Sequence, residues 1–63
     1  MNIGKRLKEI REKRNLSQYQ LSALAKIPRN TIIRIERGKV DPRISTLCRI
    51  TKALGVDIKE VFR

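Results

Sequence analysis

The chain has 63 residues, with 16 lysines and arginines against 6 aspartates and glutamates, and no histidine to adjust the formal charge of +10. That length holds one small domain, residues 1–63, and a chain so short buries only roughly 60% of its unfolded surface. Its aliphatic content excludes a disordered basic tail, and no apolar run approaches the roughly 20 residues that a bilayer span needs.

The spacing predicts five short helices and no strands. Ile3, Leu7 and Ile10 fall at i, i+4, i+7 and share one face of a first helix. Asn2 can cap its start, and Asn15 is tolerated in the left-handed conformation at its end. Much of the remaining surface of this helix is charged, and Glu9 with Lys13 is a favourable i, i+4 pair.

The second start signal is complete. Ser17 with Gln20 makes a capping box, and Leu16 with Leu21 supplies the hydrophobic staple across it. Leu21 and Leu24 are expected to face inward. The next break falls around Lys26 and Ile27, with Pro28 at or beside the first position of a third helix, where its missing N–H costs nothing. Ile32 and Ile35 mark the buried edge of that helix, and Gly38 ends it. After the loop from Lys39 to Arg43, Asp41-Pro42 is the expected cap and first position of a fourth helix. Leu47, Ile50 and Leu54 are its inner stripe, and Gly55 stops it. Asp57 with Glu60 then repeats the capping-box pattern, and Val56 with Val61 repeats the staple. Cys48, beside the Leu47 and Ile50 stripe, is expected to be a half-buried hydrophobe. The fold class is all-α, a compact five-helix bundle.

A folded surface this basic repels itself until a polyanion neutralises it, and +10 over 63 residues exceeds what solubility requires. Nucleic acid is favoured over a membrane, because no segment sets a leucine-rich or aromatic face against a purely basic one. A lone cysteine allows no internal disulfide and fits a reducing, cytoplasmic setting. With no histidine and one cysteine there is no zinc ligand set. No carboxylate dyad, glycine-rich phosphate loop or Cys–His pair points to catalysis, and no cofactor is implied.

Residues 17–38 read as two short helices joined by a tight turn, the second ending at glycine, which describes a helix-turn-helix unit. The ordered set Ser17-Gln18-Tyr19-Gln20-Leu21, Ile32, Ile35-Glu36-Arg37-Gly38, Pro42, Leu47 and Leu54-Gly55-Val56 resembles the phage-repressor and Cro type (XRE-like) helix-turn-helix domain. Ile3-Gly4, Leu7 and Arg11 extend the likeness to the N-terminus. The resemblance implies that the third helix lies in the major groove with its N-terminal residues at base edges. Those positions are Arg29 and Asn30, then Ile33 and Arg34 one turn on. Arginine suits guanine O6 and N7, asparagine suits adenine N6 and N7, and an exposed isoleucine suits a thymine methyl. For Ile33, packing against a neighbouring helix is the equal alternative.

By the same resemblance, Gln18 and the loop residues Arg37, Lys39 and Arg43 meet the DNA backbone, Arg43 also pointing toward the minor groove. Arg11 and Glu36 match a structural ion pair between the first and third helices; at a surface it contributes at most about 1 kcal/mol. The chain departs from the family at Lys26, where a small residue, often glycine, is common. Ser22 in place of a frequent alanine, and Pro28 in place of a capping side chain, are two further departures.

The implied function is sequence-specific binding of double-stranded DNA by a small transcriptional regulator, with repression the expected mode. The implied target is a pseudo-palindromic operator bound by a homodimer that is monomeric when free, its dimer surface around Val56, Ile58 and Phe62. The setting is cytoplasmic, at the nucleoid. The alternative is a protein-interaction module of the same fold, either a coactivator-like adaptor or an antitoxin.

Overall fold

The structure, a computed structural model, describes residues 2–63; Met1, first in the expected 1–63 unit, lies outside the described residues. Four α-helices follow one another, α1 (Ile3–Lys13), α2 (Gln18–Ala25), α3 (Arg29–Glu36) and α4 (Ile44–Leu54), and a 3-10 helix, Ile58–Phe62, comes last. No strand occurs among the described residues.

The expected fifth helix is therefore a tighter element. Asp57 accepts from the Lys59 amide, and the Glu60 N–H bonds the Asp57 carbonyl three residues back. That i→i+3 closure is the 3-10 pattern, which suits short pieces. The capping box expected there is absent, since the Glu60 carboxylate faces Arg63 at 3.6 Å. The box at α2 forms in full: Gln20 N–H bonds Ser17 Oγ at 3.0 Å, and Gln20 Oε1 accepts from Ser17 N–H at 2.8 Å. Asn2 caps α1 through the Lys5 amide.

One core joins all five elements. Leu7, Leu21, Ile32, Ile35, Leu47, Ile50 and Val61 are essentially inaccessible, and Ile10, Ala25, Ile27 and Leu54 complete the buried cluster. Ile3, Leu16, Val40, Val56 and Ile58 pack against its margin. Helices as short as α2 and α3, eight residues each, are unstable alone. Their packing on α1 and α4 sets their mutual orientation.

Three expectations about facing and boundaries fail. Leu24 is 59% exposed, because Leu21 and Ala25, one turn apart, take the inner edge of α2 and leave Leu24 on its rim. Cys48 is exposed: Leu47, Ile50, Thr51 and Leu54 fill the inner face of α4, and the Thr51 hydroxyl donates to the Cys48 carbonyl. The fourth helix begins at Ile44, with Arg43 as its cap residue. Its first bond joins Leu47 N–H to the Arg43 carbonyl, so Asp41 and Pro42 stay in the loop. Among the described residues Glu9 lies 4.0 Å from Arg6, one turn before it, and forms no ion pair with Lys13.

Lys26 ends α2 at φ 57°, ψ 46°. A side chain in this left-handed region costs about 1–2 kcal/mol, which glycine does not incur. Lys26→Gly is therefore expected to stabilise the fold by about 1 kcal/mol, raising the melting temperature by roughly 4–8 °C for a chain of this size. Thermal denaturation followed by circular dichroism checks this, and an unchanged or lower midpoint contradicts it.

Candidate nucleic-acid interface

α3 separates its residues cleanly. Ile32 and Ile35 are buried, while Arg29, Asn30 and Arg34 are exposed on the far side, and Arg37 continues that face just beyond the helix. Positions i, i+1, i+4, i+5 and i+8 fall on one side of an α-helix, so Arg29, Asn30, Ile33, Arg34 and Arg37 form a single outward strip. Ile33 is half-buried within it. α3 ends through Gly38 at φ 73°, with Lys39 N–H bonding the Arg34 carbonyl at 2.9 Å. The loop then carries Lys39 and Arg43, both exposed.

No carboxylate belongs to the outward strip of α3. Its one acidic residue, Glu36, turns inward, where Oε2 accepts from Arg11 Nε at 2.7 Å and Oε1 accepts from Arg11 Nη2 at 3.0 Å. The remaining Arg11 donor, Nη1, bonds the Leu16 carbonyl at 2.7 Å. The pair is buried, with side-chain exposures of 9% for Arg11 and 4% for Glu36. The expected contact is present, but its surface valuation is not: a fork-to-fork pair held out of water is far more costly to break than an exposed one.

Gln18 belongs to this cluster. Its Nε2 donates to Glu36 Oε1 at 3.0 Å and its side chain is half-buried, so the side chain is oriented by the ion pair at the opening turn of α2. That turn also presents Tyr19, 67% exposed. The sequence reading assigned Tyr19 no role, although an aromatic residue is a rarity in a chain that is 3% aromatic.

The proposed dimer residues divide. Val56 and Ile58 pack partly on the core, whereas Phe62 is 44% exposed. Arg49 is a residue the sequence reading missed: its Nε donates to the Ala25 carbonyl at 3.2 Å, and its Nη2 donates to the Lys26 carbonyl. Nothing local in the sequence pairs residues so far apart.

The arrangement is a carboxylate-free helix face flanked by a loop that carries Lys39 and Arg43 around one exposed carboxylate, Asp41, with the neighbouring helix turned so that its first residues stand beside it. Among the described residues no acidic, cysteine or histidine cluster suits a metal ion, and no helix is long and apolar enough to cross a membrane.

Comparison with known proteins gives a consistent picture. The Helix-turn-helix family matches residues 7–61. The chain is 38% identical over 61 residues to the immunity repressor protein of Bacillus phage phi105, a match spanning 97% of this chain and 42% of that protein. It is 42% identical over 59 residues to the HTH-type transcriptional regulator PuuR of Escherichia coli, spanning 94% of this chain and 32% of that one. The chain thus corresponds to less than half the length of either relative. The crystal structure of the restriction-modification controller protein C.AhdI from Aeromonas hydrophila superposes with a TM-score of 0.94 at 30% identity, covering 97% of this chain and 92% of that one.

Proposed function

Because this chain belongs to the Helix-turn-helix family, we propose that it binds double-stranded DNA sequence-specifically as a small transcriptional regulator, with repression as its mode. The observation that carries the reading is the outward face of α3, where Arg29, Asn30 and Arg34 are exposed while Glu36 is consumed internally by Arg11. A carboxylate on that face would repel phosphates; removing it leaves a surface suited to the negative groove.

In this reading α3 enters the major groove, Arg29 and Arg34 take guanines, Asn30 takes an adenine and Ile33 meets a thymine methyl. Gln18, Arg37, Lys39 and Arg43 fix the register on the backbone, contributing affinity without sequence information. Residues 1–63 act as one helix-turn-helix unit. No catalytic step and no cofactor belong to this function, and it places the chain with its DNA, in the cytoplasm at the nucleoid.

A single unit of this kind buries only roughly 600–1,000 Å² against DNA. Two copies on a pseudo-palindrome, half-site centres about 34 Å apart, supply the missing specificity. The Cα framework extends 25 × 23 × 20 Å, so two copies aligned along its longest axis at that spacing are close enough for side chains to bridge them. Phe62, with Val56 and Ile58 behind it, forms the contact, and the free chain is monomeric.

Selection of binding sites from random duplex DNA tests the proposal. An enriched inverted repeat is expected. Absence of any enriched sequence refutes the reading and leaves an adaptor or antitoxin of the same fold as the better account.

A further inference from the structure

Four described residues have positive φ: Asn15, Lys26, Gly38 and Gly55. Glycine adopts this region without penalty and asparagine tolerates it. Lys26 is the exception, and it stands at the turn that sets the angle between α2 and α3. The Ile27 N–H bonds the Ser22 carbonyl at 3.1 Å across that turn. The carbonyls of Ala25 and Lys26, at the end of α2, point toward α4, and both accept from one guanidinium, that of Arg49.

The side chain of Arg49 reaches from α4 to the end of α2 and lines a groove there together with Leu24, Lys52 and Ala53. Of the four positive-φ residues, Lys26 alone has its carbonyl held by a side chain distant in sequence. The strained turn and the distant clamp coincide. From Lys26 the chain passes through Ile27 and Pro28 directly into Arg29, the first residue of α3. Any relaxation of Lys26 out of the left-handed region therefore swings the N-terminal end of α3, where Arg29 and Asn30 stand.

We infer that Arg49 is a positioning residue for sequence recognition: by bonding the Ala25 and Lys26 carbonyls it holds a left-handed turn that lacks glycine, and so fixes the angle at which α3 presents Arg29 and Asn30. The inference rests on the DNA-reading function proposed above. Arg49 is exposed, but its Nε and Nη2 are engaged by the Ala25 and Lys26 carbonyls, so its contribution is assigned to discrimination between sequences and not to grip on phosphates.

The test is a two-residue cycle, Arg49→Met and Lys26→Gly, singly and together, read as the ratio of affinities for a selected site and an unrelated duplex at one salt concentration. Methionine keeps the stem and removes the donors, and glycine takes the left-handed turn without strain. Each substitution removes one positive charge, which weakens both duplexes alike and cancels in the ratio. Arg49→Met is expected to lower the ratio about five- to tenfold, the population shift that the strain of a left-handed lysine can drive. Lys26→Gly alone is expected to leave the ratio unchanged, and added to Arg49→Met to restore it to within about twofold of the parent, because the strain is then gone.

Amide exchange at Ile27 in the free protein gives an independent reading: Arg49→Met is expected to accelerate it, and Lys26→Gly to slow it again. An unchanged ratio with equal losses on both duplexes makes Arg49 a phosphate contact and overturns the inference. A lowered ratio that Lys26→Gly does not restore overturns it too, as does unchanged Ile27 exchange in Arg49→Met. A parent chain with no preference among duplexes is a different failure, that of the DNA-reading function itself, and Ile27 exchange still decides whether Arg49 holds the turn.

Discussion

Glu36→Gln is expected to be among the most damaging single substitutions in this chain, costing about 3–5 kcal/mol, the range for removing one partner of a buried ion pair. Glu36 accepts from Arg11 Nε, Arg11 Nη2 and Gln18 Nε2. Glutamine offers one oxygen and an amide that donates, so one Arg11 N–H meets a donor and the buried guanidinium keeps two neutral acceptors, the glutamine oxygen and the Leu16 carbonyl, with no opposing charge. A 60–100-residue domain loses roughly 4–8 °C of melting temperature per kcal/mol, and small domains hold only about 5–15 kcal/mol in total. The midpoint should therefore fall by at least about 12 °C. Base preference should not change, because neither Arg11 nor Glu36 lies on the outward face of α3.

The paired substitution Arg11→Met with Glu36→Met should recover most of that loss, since a buried pair replaced together by apolar residues of similar size is often neutral. Thermal denaturation of the three proteins decides the matter. A single Glu36→Gln variant as stable as the parent would show the pair to be solvated, and one with altered base preference would make Glu36 a reader of DNA.

Gly4→Ala is the second large effect. In an isolated helix the exchange gains about 1 kcal/mol, because alanine is the better helix former. Here a Cβ on Gly4 would run into the Ile35 carbonyl oxygen and stand 2.9 Å from its carbon. Both are backbone atoms of α3 and cannot swing aside as a side chain would. α1 and α3 would have to separate, pulling on Ile35 in the core and on the Arg11–Glu36 pair that joins the same two helices. Overpacking of this kind costs about 1–3 kcal/mol and sometimes more, and contact with rigid backbone lies at the upper end. The clash outweighs the propensity gain, and a net loss of about 2 kcal/mol or more, roughly 8–16 °C, is expected. A melting temperature equal to or above the parent's would show that the two helices do not approach so closely.

These two residues mark what the sequence could and could not reveal. Local signals were legible because they close within three or four residues: the Ser17–Gln20 box, the Asn2 cap, and the left-handed stops at Gly38 and Gly55 all rest on such contacts. The inward residues at helical spacing, Leu7, Ile32, Ile35, Leu47 and Ile50, were legible for the same reason. Leu24 and Cys48 were misjudged because each neighbours the buried stripe of its helix, and only the position of the packing partner decides which side of the stripe is covered. The start of α4 moved past Asp41-Pro42, since an Asp-Pro pair suits a loop as readily as a cap.

The candidate site followed the same division. The exposure of Arg29, Asn30 and Arg34 follows from where Ile32 and Ile35 must go. The burial of Glu36, the notch at Gly4 and the hold of Arg49 on the α2 terminus arise from contacts between distant segments, and no local pattern encodes them.

In the proposed complex, α3 reads bases while the loop after it grips the backbone. The measurement that tests it most directly is the affinity of Arg29→Ala, Asn30→Ala, Arg34→Ala and Lys39→Ala for the selected site and its single-base variants, each at several salt concentrations. A bidentate arginine–guanine contact contributes about 1–3 kcal/mol of discrimination against a wrong base. Arg34→Ala is therefore expected to lose preference at one base pair in each half-site, and Asn30→Ala at an adenine position. Lys39→Ala is expected to weaken all sequences about equally and to flatten the slope of log affinity against log salt by roughly one unit. If the Arg29, Asn30 and Arg34 variants instead lose affinity uniformly across every base variant, α3 is not the reader and the account is wrong.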